Sequence, residues 1–414
     1  MNKKQLTYKD FYNFVEGSGD SELCLLSSDK GILSVSYENF YALWNYGKYS
    51  PEGSNYIPFV HIAKRDLIKA LKAVKEIERL QIKTIEGKMI LHINNIPLSP
   101  VLDVESPSWF DHTHRPRFSP ENTVRITFNS EIIGEAFEDI YRLFGYKTKD
   151  DVYSIRIHLA ITTLGVDIVA TDNKNLYVKE IHYGRGVEWE LPSGHPPIAG
   201  KNWKLEGEYL KHNIKSIRTL AKTGQGVVVE VSINEDDSGI YFLDGDLGDY
   251  MLKWGQDSGN MPRYAKLIND HKNKFRVDET GYVKVDQIAG IVKSDIEIAK
   301  KTTYMKDHVG NLSTTLNFSK DKVEIVTHVY WSEEKVWKGV KINSTVLDLA
   351  SYPDWSRSIR FNSEYLLRAL PMFKDNSVYV YAFNDSPLLI EHIMNGVIIQ
   401  YMVMILKGET TEIS

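Results

Sequence analysis

The sequence predicts an α+β protein built from three similar domains. Two sequence blocks each occur three times along the 414 residues, at intervals of about 130 to 160 residues, which is the signature of an internal repeat. The first block is typical of two strands joined by a polar turn, and the second of a short amphipathic helix that leads into a strand. Strand pairs and helices repeated in this way give the α+β class.

The strand-pair block alternates apolar and polar residues at a period of two on both sides of a polar corner. This is the pattern of antiparallel strands that bury one face. Its three copies begin at Lys30, Leu164 and Asp321, with the sequences KGILSVSYENFYAL, LGVDIVATDNKNLYV and DKVEIVTHVYWSEEKV.

The helix-strand block follows each strand pair after an interval. Acidic residues in the first turn of the first two copies suit the helix dipole. The three copies begin at Arg65, Gly207 and Ser363, with the sequences RDLIKALKAVKEIERLQIKTIEGKMILHI, GEYLKHNIKSIRTLAKTGQGVVVEVSI and SEYLLRALPMFKDNSVYVYAF.

Two segments rich in proline, histidine, asparagine and charge, and poor in periodicity, predict the domain boundaries. They are residues 106–122 and 261–275. The predicted division is a first domain at 1–120, a second at 121–268, a third at 269–407, and a disordered tail at 408–414.

The sequence gives little support to an enzyme. The motifs GxxxxGK[ST], GxGxxG, HExxH and GxSxG are absent, and the pair His112 and His114 lacks a third metal ligand at a recognisable spacing. We therefore expect no catalytic residue, no cofactor and no metal. With no apolar run long enough for a membrane span, no signal peptide and the single residue Cys24 expected to be a buried thiol, the sequence predicts a cytoplasmic protein.

Asp172 lies between two apolar runs in VATDNKNLYV, where a catalytic carboxylate and a turn residue are the two alternatives. No partner acid or histidine lies in its own segment. Asp and Asn side chains accept hydrogen bonds from nearby backbone N–H groups, so a polar cluster between two strands favours a turn. We expect Asp172 to be a turn corner.

The formal net charge is −5, but the basic residues are unevenly placed. In the first helix block, Leu67, Leu71 and Val74 share one face. The opposite face carries Arg65, Lys69 and Lys72, next to Lys64. The second helix block has a row of cations at the same spacing. These residues suit contacts with a phosphate backbone, although a solvated helix face is the alternative. The second row is Lys211, Lys215, Arg218 and Lys222.

The charge pattern is not uniform, because the first helix predicted for the second domain carries acidic residues at Glu131, Glu135 and Glu138, with Arg142 on the same face. That face would repel DNA. The helix block of the third domain offers only Arg368 and Lys374.

Three motifs, VATDNKNLYV, MPRYAKL and SPLLIEHIMNGVIIQYMVMILK, occur in the order in which the bacterial replicative sliding clamp has similar motifs. In these motifs the chain resembles that family, the β subunit of DNA polymerase III. The resemblance implies the DNA clamp fold, with two helices packed on antiparallel sheets in each domain. It also implies a head-to-tail homodimer that forms a ring around duplex DNA, is loaded by a clamp-loader ATPase and tethers a DNA polymerase.

The resemblance also implies a cleft that binds peptides from partner proteins. Any apolar member of this set has burial in the core as its alternative role. The residues carried over are Thr171, Asn173, Lys174, Asn175, Leu176, Pro262, Lys266, Leu267, Asn362, Tyr365, Pro387, Val403, Met404, Ile405 and Leu406. The resemblance further implies that residues 291–296 lie at or near the dimer contact.

Two departures alter the implied cleft. The family commonly has ATDGHRL where this chain has ATDNKNL, and MPMR where it has MILK followed by seven further residues. We therefore expect the common bacterial clamp-binding peptides to bind more weakly than the cognate ones.

The sequence leaves two candidate functions. The first is a DNA sliding clamp. The second is a clamp-fold scaffold that binds proteins without encircling DNA, and the acidic face of Glu131 to Glu138 favours this second function.

Overall fold

The structure is a computed structural model of the full chain. It describes residues 23–28, 32–37, 40–45, 57–73, 80–93, 96–103, 123–144, 156–172, 174–190, 202–206, 227–232, 240–244, 248–252, 263–273, 281–301, 312–319, 322–333, 336–348, 357–373, 377–381, 387–404 and 411–412.

The described strands are numbered in chain order. They are β1 (Leu23–Ser28), β2 (Ile32–Tyr37), β3 (Phe40–Asn45), β4 (Ile57–Ile62), β5 (Leu80–Ile85), β6 (Lys88–Ile93), β7 (Ile96–Asp103), β8 (Thr123–Phe128), β9 (Arg156–Ile161), β10 (Gly165–Thr171), β11 (Asn175–His182), β12 (Val187–Glu190), β13 (Asn202–Glu206), β14 (Val227–Ser232), β15 (Ile240–Asp244), β16 (Gly248–Leu252), β17 (Gly281–Lys284), β18 (Leu312–Ser319), β19 (Lys322–Glu333), β20 (Val336–Asp348), β21 (Arg357–Asn362), β22 (Ser377–Tyr381), β23 (Leu388–Met394), β24 (Val397–Val403) and β25 (Thr411–Glu412).

The described helices are fewer than the described strands. They are α1 (Lys64–Ala73), α2 (Ser130–Phe144), α3 (Tyr264–Lys272), α4 (Val285–Lys301), α5 (Ser363–Ala369) and the 3-10 turn η1 (Leu370–Phe373).

Backbone contacts divide the chain into two compact units. The first comprises residues 1–141, 161–165 and 186–258, and the second comprises 142–160, 166–185 and 259–414. The three-domain division made from the sequence repeat stays a prediction.

The first unit contains a sheet with the strand order β12-β8-β14-β15-β16-β3-β2-β1-β4-β7-β6-β5. Helix α1 packs against β7 and buries Leu67 and Leu71, as its apolar face predicts. Arg65, Lys69 and Lys72 lie exposed on its other face. The predicted amphipathic character of this helix is therefore confirmed.

The second unit contains two sheets. In one, the strands of this unit run in the order β9-β10-β11-β24-β23-β22-β17, and in the other the order is β21-β18-β19-β20-β25. Helix α4 contacts α5, β19 and β20. The side chain of Asp295 on α4 is fully buried and accepts hydrogen bonds from Thr327 Oγ1 at 2.7 Å and Asn343 Nδ2 at 2.8 Å, so a polar contact joins the helix to both strands.

The hairpin between β23 and β24 closes through Asn395 and Gly396, which both have positive φ angles, at 50° and 81°. This is the backbone of a tight hairpin turn, for which Asn-Gly is the favoured sequence. A side chain at Gly396 would also meet Arg185, whose Cγ lies 2.6 Å from the position of the added Cβ. Glycine is required here by both conformation and space.

All three predicted strand pairs are confirmed, as β2–β3, β10–β11 and β19–β20, and two helix-strand blocks are confirmed as α1–β5 and α5–β22. The helix of the remaining block, together with His112 and His114 and the burial of the Cys24 side chain, falls outside the described residues.

Three local predictions are wrong. Strand β10 is buried along its whole length rather than on one face, because its polar residues Asp167 and Thr171 find hydrogen-bond partners in the interior. The segment predicted to be an irregular boundary contains helix α3. The tail predicted to be disordered contributes β25, which pairs in parallel with β20, an edge strand whose free backbone groups accept a further strand.

Candidate functional site

The turn between β10 and β11 is organised by Asp172. Its Oδ1 accepts hydrogen bonds from the backbone N–H groups of Lys174 at 2.9 Å and Asn175 at 2.7 Å. Thr171 closes the turn from the other side, since its Oγ1 donates to the backbone carbonyl of Asn175 at 2.8 Å. Asp172 is only 4% exposed. These contacts confirm the prediction that Asp172 is a turn corner.

Asn175 connects this turn to a distant strand. Its Nδ2 donates to the Asp172 carboxylate, at 3.2 Å from Oδ2, and its Oδ1 accepts from the hydroxyl of Tyr401 at 2.9 Å. A carboxylate has only acceptors, so the amide nitrogen must face Asp172 and the amide oxygen is left for the phenol. The orientation of the Asn175 amide is thus fixed from both ends.

Tyr401 on β24 lies at the centre of this network. Its side chain is fully buried, and its hydroxyl also lies 3.4 Å from the backbone carbonyl of Tyr365 on α5. Burial first, and then the nearby Asp172 carboxylate, raise the pKa of the Tyr401 hydroxyl well above its ordinary value. The hydroxyl therefore remains a donor at any physiological pH.

The end of strand β24 is held against the same turn. Val403 pairs with Asn175 of β11 and, on its other side, with Leu388 of β23, which follows Pro387. The backbone N–H of Met404 donates to the carbonyl of Lys174 at 3.0 Å. The turn, the end of β24 and the start of β23 are therefore neighbours.

Helix α3 packs beside this region. Tyr264 and Ile268 join a buried cluster with Val169, Leu176 and Met402. The opposite face of the helix is exposed, and it presents Lys266 and Leu267 to solvent.

The first polar contact of α3 is made by Tyr264, whose hydroxyl donates to Asp167 Oδ2 at 2.5 Å. Asp167 is 7% exposed, and burial is the main reason why the pKa of its carboxyl rises to about 6. The Tyr264 hydrogen bond and the proximity of His182 lower it in part. Asp167 thus holds the start of α3 with a carboxyl that titrates near neutral pH.

The end of α3 is held by an ion pair, in which Lys272 Nζ lies 2.6 Å from Oε2 of the buried Glu391. Glu391 also accepts from Tyr381 at 3.0 Å and from Gln400 at 2.7 Å. The neighbouring carboxyl of Glu180 has a raised pKa of about 7. Burial is the main cause, followed by the negative charges of Asp167 and Glu391, and Lys272 lowers the pKa by a smaller amount.

The described members of the predicted cleft divide by exposure. Val403 is fully buried, and Thr171, Asn175 and Leu176 are nearly so. Lys174 and Lys266 are exposed, and Leu267 and Met404 are each 49% exposed although apolar. Asn362 caps α5 by accepting from the N–H of Glu364 at 2.9 Å. Only the exposed members of the set present their side chains to solvent, and the buried members lie in the interior.

Four predicted cleft residues, Asn173, Pro262, Ile405 and Leu406, fall outside the described residues, as do the basic row Lys211, Lys215, Arg218 and Lys222 and the side chain of Lys64.

Sequence reasoning missed Tyr264, Tyr401 and Asp167. A signal existed for Tyr264, because Tyr264, Ile268 and His271 recur at helical spacing and all three are buried. No local signal marks Tyr401, whose partner Asn175 lies 226 residues earlier in the chain.

The comparisons with known proteins bear on the fold. No protein-family model matches the sequence, and no curated protein matches it either. Among solved structures, a Helicobacter pylori β clamp bound to a DNA ligase peptide is similar with a TM-score of 0.63 and 14% identity, over 97% of this chain and 99% of that chain. The chain has the fold of the bacterial β sliding clamp.

Two further solved structures agree with this assignment. The H. pylori β clamp in complex with diflunisal has a TM-score of 0.64 and 14% identity, and the DNA polymerase III β subunit of Caulobacter crescentus has 0.62 and 14%. Each covers 97% of this chain and 99% of its own. The α+β clamp fold expected from the sequence is therefore confirmed.

Two searches of the described residues were negative. No described helix is long and apolar enough to cross a membrane. Within the same residues, no group of three or more His, Cys, Asp or Glu side chains is arranged to hold a metal ion.

Proposed function

We propose that the chain is a DNA sliding clamp, a processivity factor that encircles duplex DNA and tethers a DNA polymerase and other replication proteins. The observation that carries the proposal is the match of nearly the whole chain to nearly the whole of clamp structures from two bacteria. Function in this proposal is mechanical rather than catalytic, with no active site, cofactor or metal.

The partner-binding site of the proposed clamp lies at the turn of β10 and β11. Support comes from the exposed apolar side chains of Leu267 and Met404 and from the exposed residue Lys174, whose backbone carbonyl accepts from the Met404 N–H. Apolar anchors flanked by polar groups are typical of sites for extended peptides. A similar clamp, that of H. pylori, binds a DNA ligase peptide. We infer peptides of replication proteins, including the polymerase and the clamp-loader ATPase, as the partners.

The DNA-binding surface of the proposed clamp includes the basic face of α1. Arg65, Lys69 and Lys72 are exposed on this face, and Lys69 Nζ lies 4.0 Å from the Asp66 carboxylate. Lys64 and the second row of cations, Lys211, Lys215, Arg218 and Lys222, are proposed as further contacts. Phosphate contacts of this kind carry no base information, so binding is independent of DNA sequence.

The proposed ring is a head-to-tail homodimer of three-domain subunits in the cytoplasm. Repeated domains close into a ring only when the first domain of one subunit meets the third domain of the other. Residues 291–296 of α4 are proposed to lie at or near that contact.

The second candidate function is a scaffold with the clamp fold that binds proteins without encircling DNA. The acidic face of α2 favours it, because Glu131 and Glu135 are exposed and Glu138 is partly exposed. Such a face opposes DNA passage wherever it borders the hole.

Ring formation is tested by the solution mass together with a small-angle scattering profile. A ring predicts twice the chain's 47.5 kDa and the profile of a hollow particle. A monomer or a trimer at micromolar concentration contradicts it.

Partner binding is tested by replacing Met404 and Leu406 with Ala. Truncating a central apolar anchor commonly costs at least about 2 kcal/mol, so the double variant should lose binding of polymerase and loader peptides while the dimer mass stays unchanged. The common bacterial peptide should bind more weakly than the cognate one. Equal, tight binding of both peptides contradicts an altered site, and no binding of any replication-protein peptide removes this site from the proposal.

A further inference from the structure

The buried side chains of Asp172, Asn175 and Tyr401 form a continuous hydrogen-bonded connection beneath the surface proposed for peptide binding. None of the three offers that surface a contact of its own, since each is at most 4% exposed. Each belongs to a different feature of the second unit: the corner of the turn, the first residue of β11, and the middle of β24.

We propose that Asn175 and Tyr401 are positioning residues that hold the peptide-binding surface in its binding-competent shape, a role that rests on the proposed function. The family resemblance placed Asn175 in the peptide cleft, but its side chain is engaged on both sides by Asp172 and Tyr401.

The geometry of the network supports the positioning role. Three separate pieces of backbone carry site residues: the turn with the exposed Lys174, the strand end with the exposed Met404, and α5 with the partly exposed Tyr365. The Tyr401 hydroxyl reaches two of them, through Asn175 and through the Tyr365 carbonyl, and it belongs to the strand that ends at the third. The Tyr401 hydroxyl, which donates to Asn175 at 2.9 Å and lies 3.4 Å from the Tyr365 carbonyl, is therefore placed where all three pieces meet.

The chemistry makes the connection directional. The carboxylate of Asp172 accepts from two backbone N–H groups and from the Asn175 amide, which leaves the amide oxygen to accept from Tyr401. Each donor in this three-residue network meets an acceptor. A fully satisfied buried network stabilises one arrangement over its alternatives. A preorganised site avoids the cost of ordering during binding.

The adjacent backbone contact reports on the connection. Met404 donates its N–H to the Lys174 carbonyl at 3.0 Å, so this amide exchanges with solvent only when the turn and the strand end separate. Amide exchange in the peptide-free protein therefore measures the positioning role without a ligand.

The first experiment compares hydrogen exchange at the Met404 and Asn175 amides in the parent and in Tyr401→Phe. Loss of one buried hydrogen bond should accelerate exchange about 3- to 10-fold at both amides. The control Tyr381→Phe removes a tyrosine hydroxyl that binds Glu391 instead, and should leave these two amides unchanged. Unchanged exchange in Tyr401→Phe, or equal acceleration in both variants, overturns the inference.

The second experiment titrates the same proteins with the DNA ligase peptide that binds the H. pylori clamp, well below their melting temperatures. Tyr401→Phe should weaken binding about 3- to 10-fold by loss of preorganisation, and Tyr381→Phe should not. Equal peptide affinity in Tyr401→Phe and the parent overturns the inference and leaves the proposed function intact.

A parent that binds no such peptide counts against the proposed function, while hydrogen exchange still decides the positioning role.

A conservative variant completes the set: Asp172→Asn retains an oxygen for the turn N–H groups, so amide exchange in this variant should lie between that of the parent and that of Asp172→Ala. Identical exchange in the two Asp172 variants contradicts the role given to the carboxylate oxygen.

Discussion

Two aspartates, Asp167 within β10 and Asp172 directly after it, share burial but differ in their surroundings. Asp172 accepts from two backbone N–H groups and the Asn175 amide, so its carboxylate is surrounded by donors. Asp167 accepts from the Tyr264 hydroxyl and lies near the carboxyl of Glu180, and the pKa values of these two carboxyls rise to about 6 and about 7. Burial is the main reason for the raised pKa values of Asp167 and Glu180, whereas the donors around Asp172 fix the geometry of its turn.

The difference has a consequence for the proposed binding surface. The turn that carries Lys174 is held by hydrogen bonds that form only within a well-defined geometry. Helix α3, which carries Leu267, is held by Tyr264 to a carboxyl that titrates near neutral pH and by Lys272 to Glu391. We expect the turn to be the rigid side of the surface and α3 to be its adjustable side.

The largest effect is expected from truncating the two aspartates in turn. Asp172→Ala leaves two N–H groups of the turn without their acceptor, and each lost acceptor costs about 1 to 2 kcal/mol, so the free energy of unfolding should fall by about 3 kcal/mol. Asp167→Ala removes the acceptor of the Tyr264 hydroxyl but relieves repulsion with Glu180. The net loss of unfolding free energy should therefore be below about 1 kcal/mol. Urea unfolding measures both; a reversed order contradicts the comparison.

The ion pair at the end of α3 should give the next largest effect. Lys272→Met leaves the buried Glu391 with only neutral donors, and the expected loss is about 2 kcal/mol of unfolding free energy. The control is Lys300→Met, which breaks the exposed pair with Glu297 at 3.3 Å and should cost less than about 0.5 kcal/mol. Equal losses in the two variants show that the Lys272–Glu391 pair behaves as a surface contact.

The raised pKa of Glu180 should make the stability of the protein depend on pH. The pKa of Glu180 is about 7 in the folded chain against an ordinary 4.5, so the folded state binds the proton more tightly between these values. Stability from this group therefore falls as pH rises from 4.5 to 7. Glu180→Gln should flatten that decline and stabilise the protein by about 1 kcal/mol above pH 7, after allowance for solvent screening of a half-buried side chain. Thermal unfolding at pH 5 and pH 8 measures it, and a parallel decline in both proteins contradicts it.

The sequence predicted those features that depend on local chemistry. The Asp172 turn followed from the tendency of aspartate to accept nearby backbone N–H groups, and α1 from the spacing of Leu67 and Leu71. Helix α3 was missed because its buried stripe is short and includes His271, a residue usually counted as polar. The pairing of Asn175 with Tyr401 depends on strands β11 and β24 becoming neighbours, and no local pattern carries that information.

Encirclement of DNA is tested most directly by retention on closed circular DNA, compared with the same DNA after linearisation, through a high-salt wash. A loaded ring should stay on the circle and slide off the free ends, and Arg65→Glu with Lys69→Glu should reduce retention on every sequence alike. Lys83→Glu with Lys88→Glu, an equal change in charge on exposed residues of the β5–β6 hairpin, should have less effect. Equal loss from circular and linear DNA would contradict the ring and favour the scaffold.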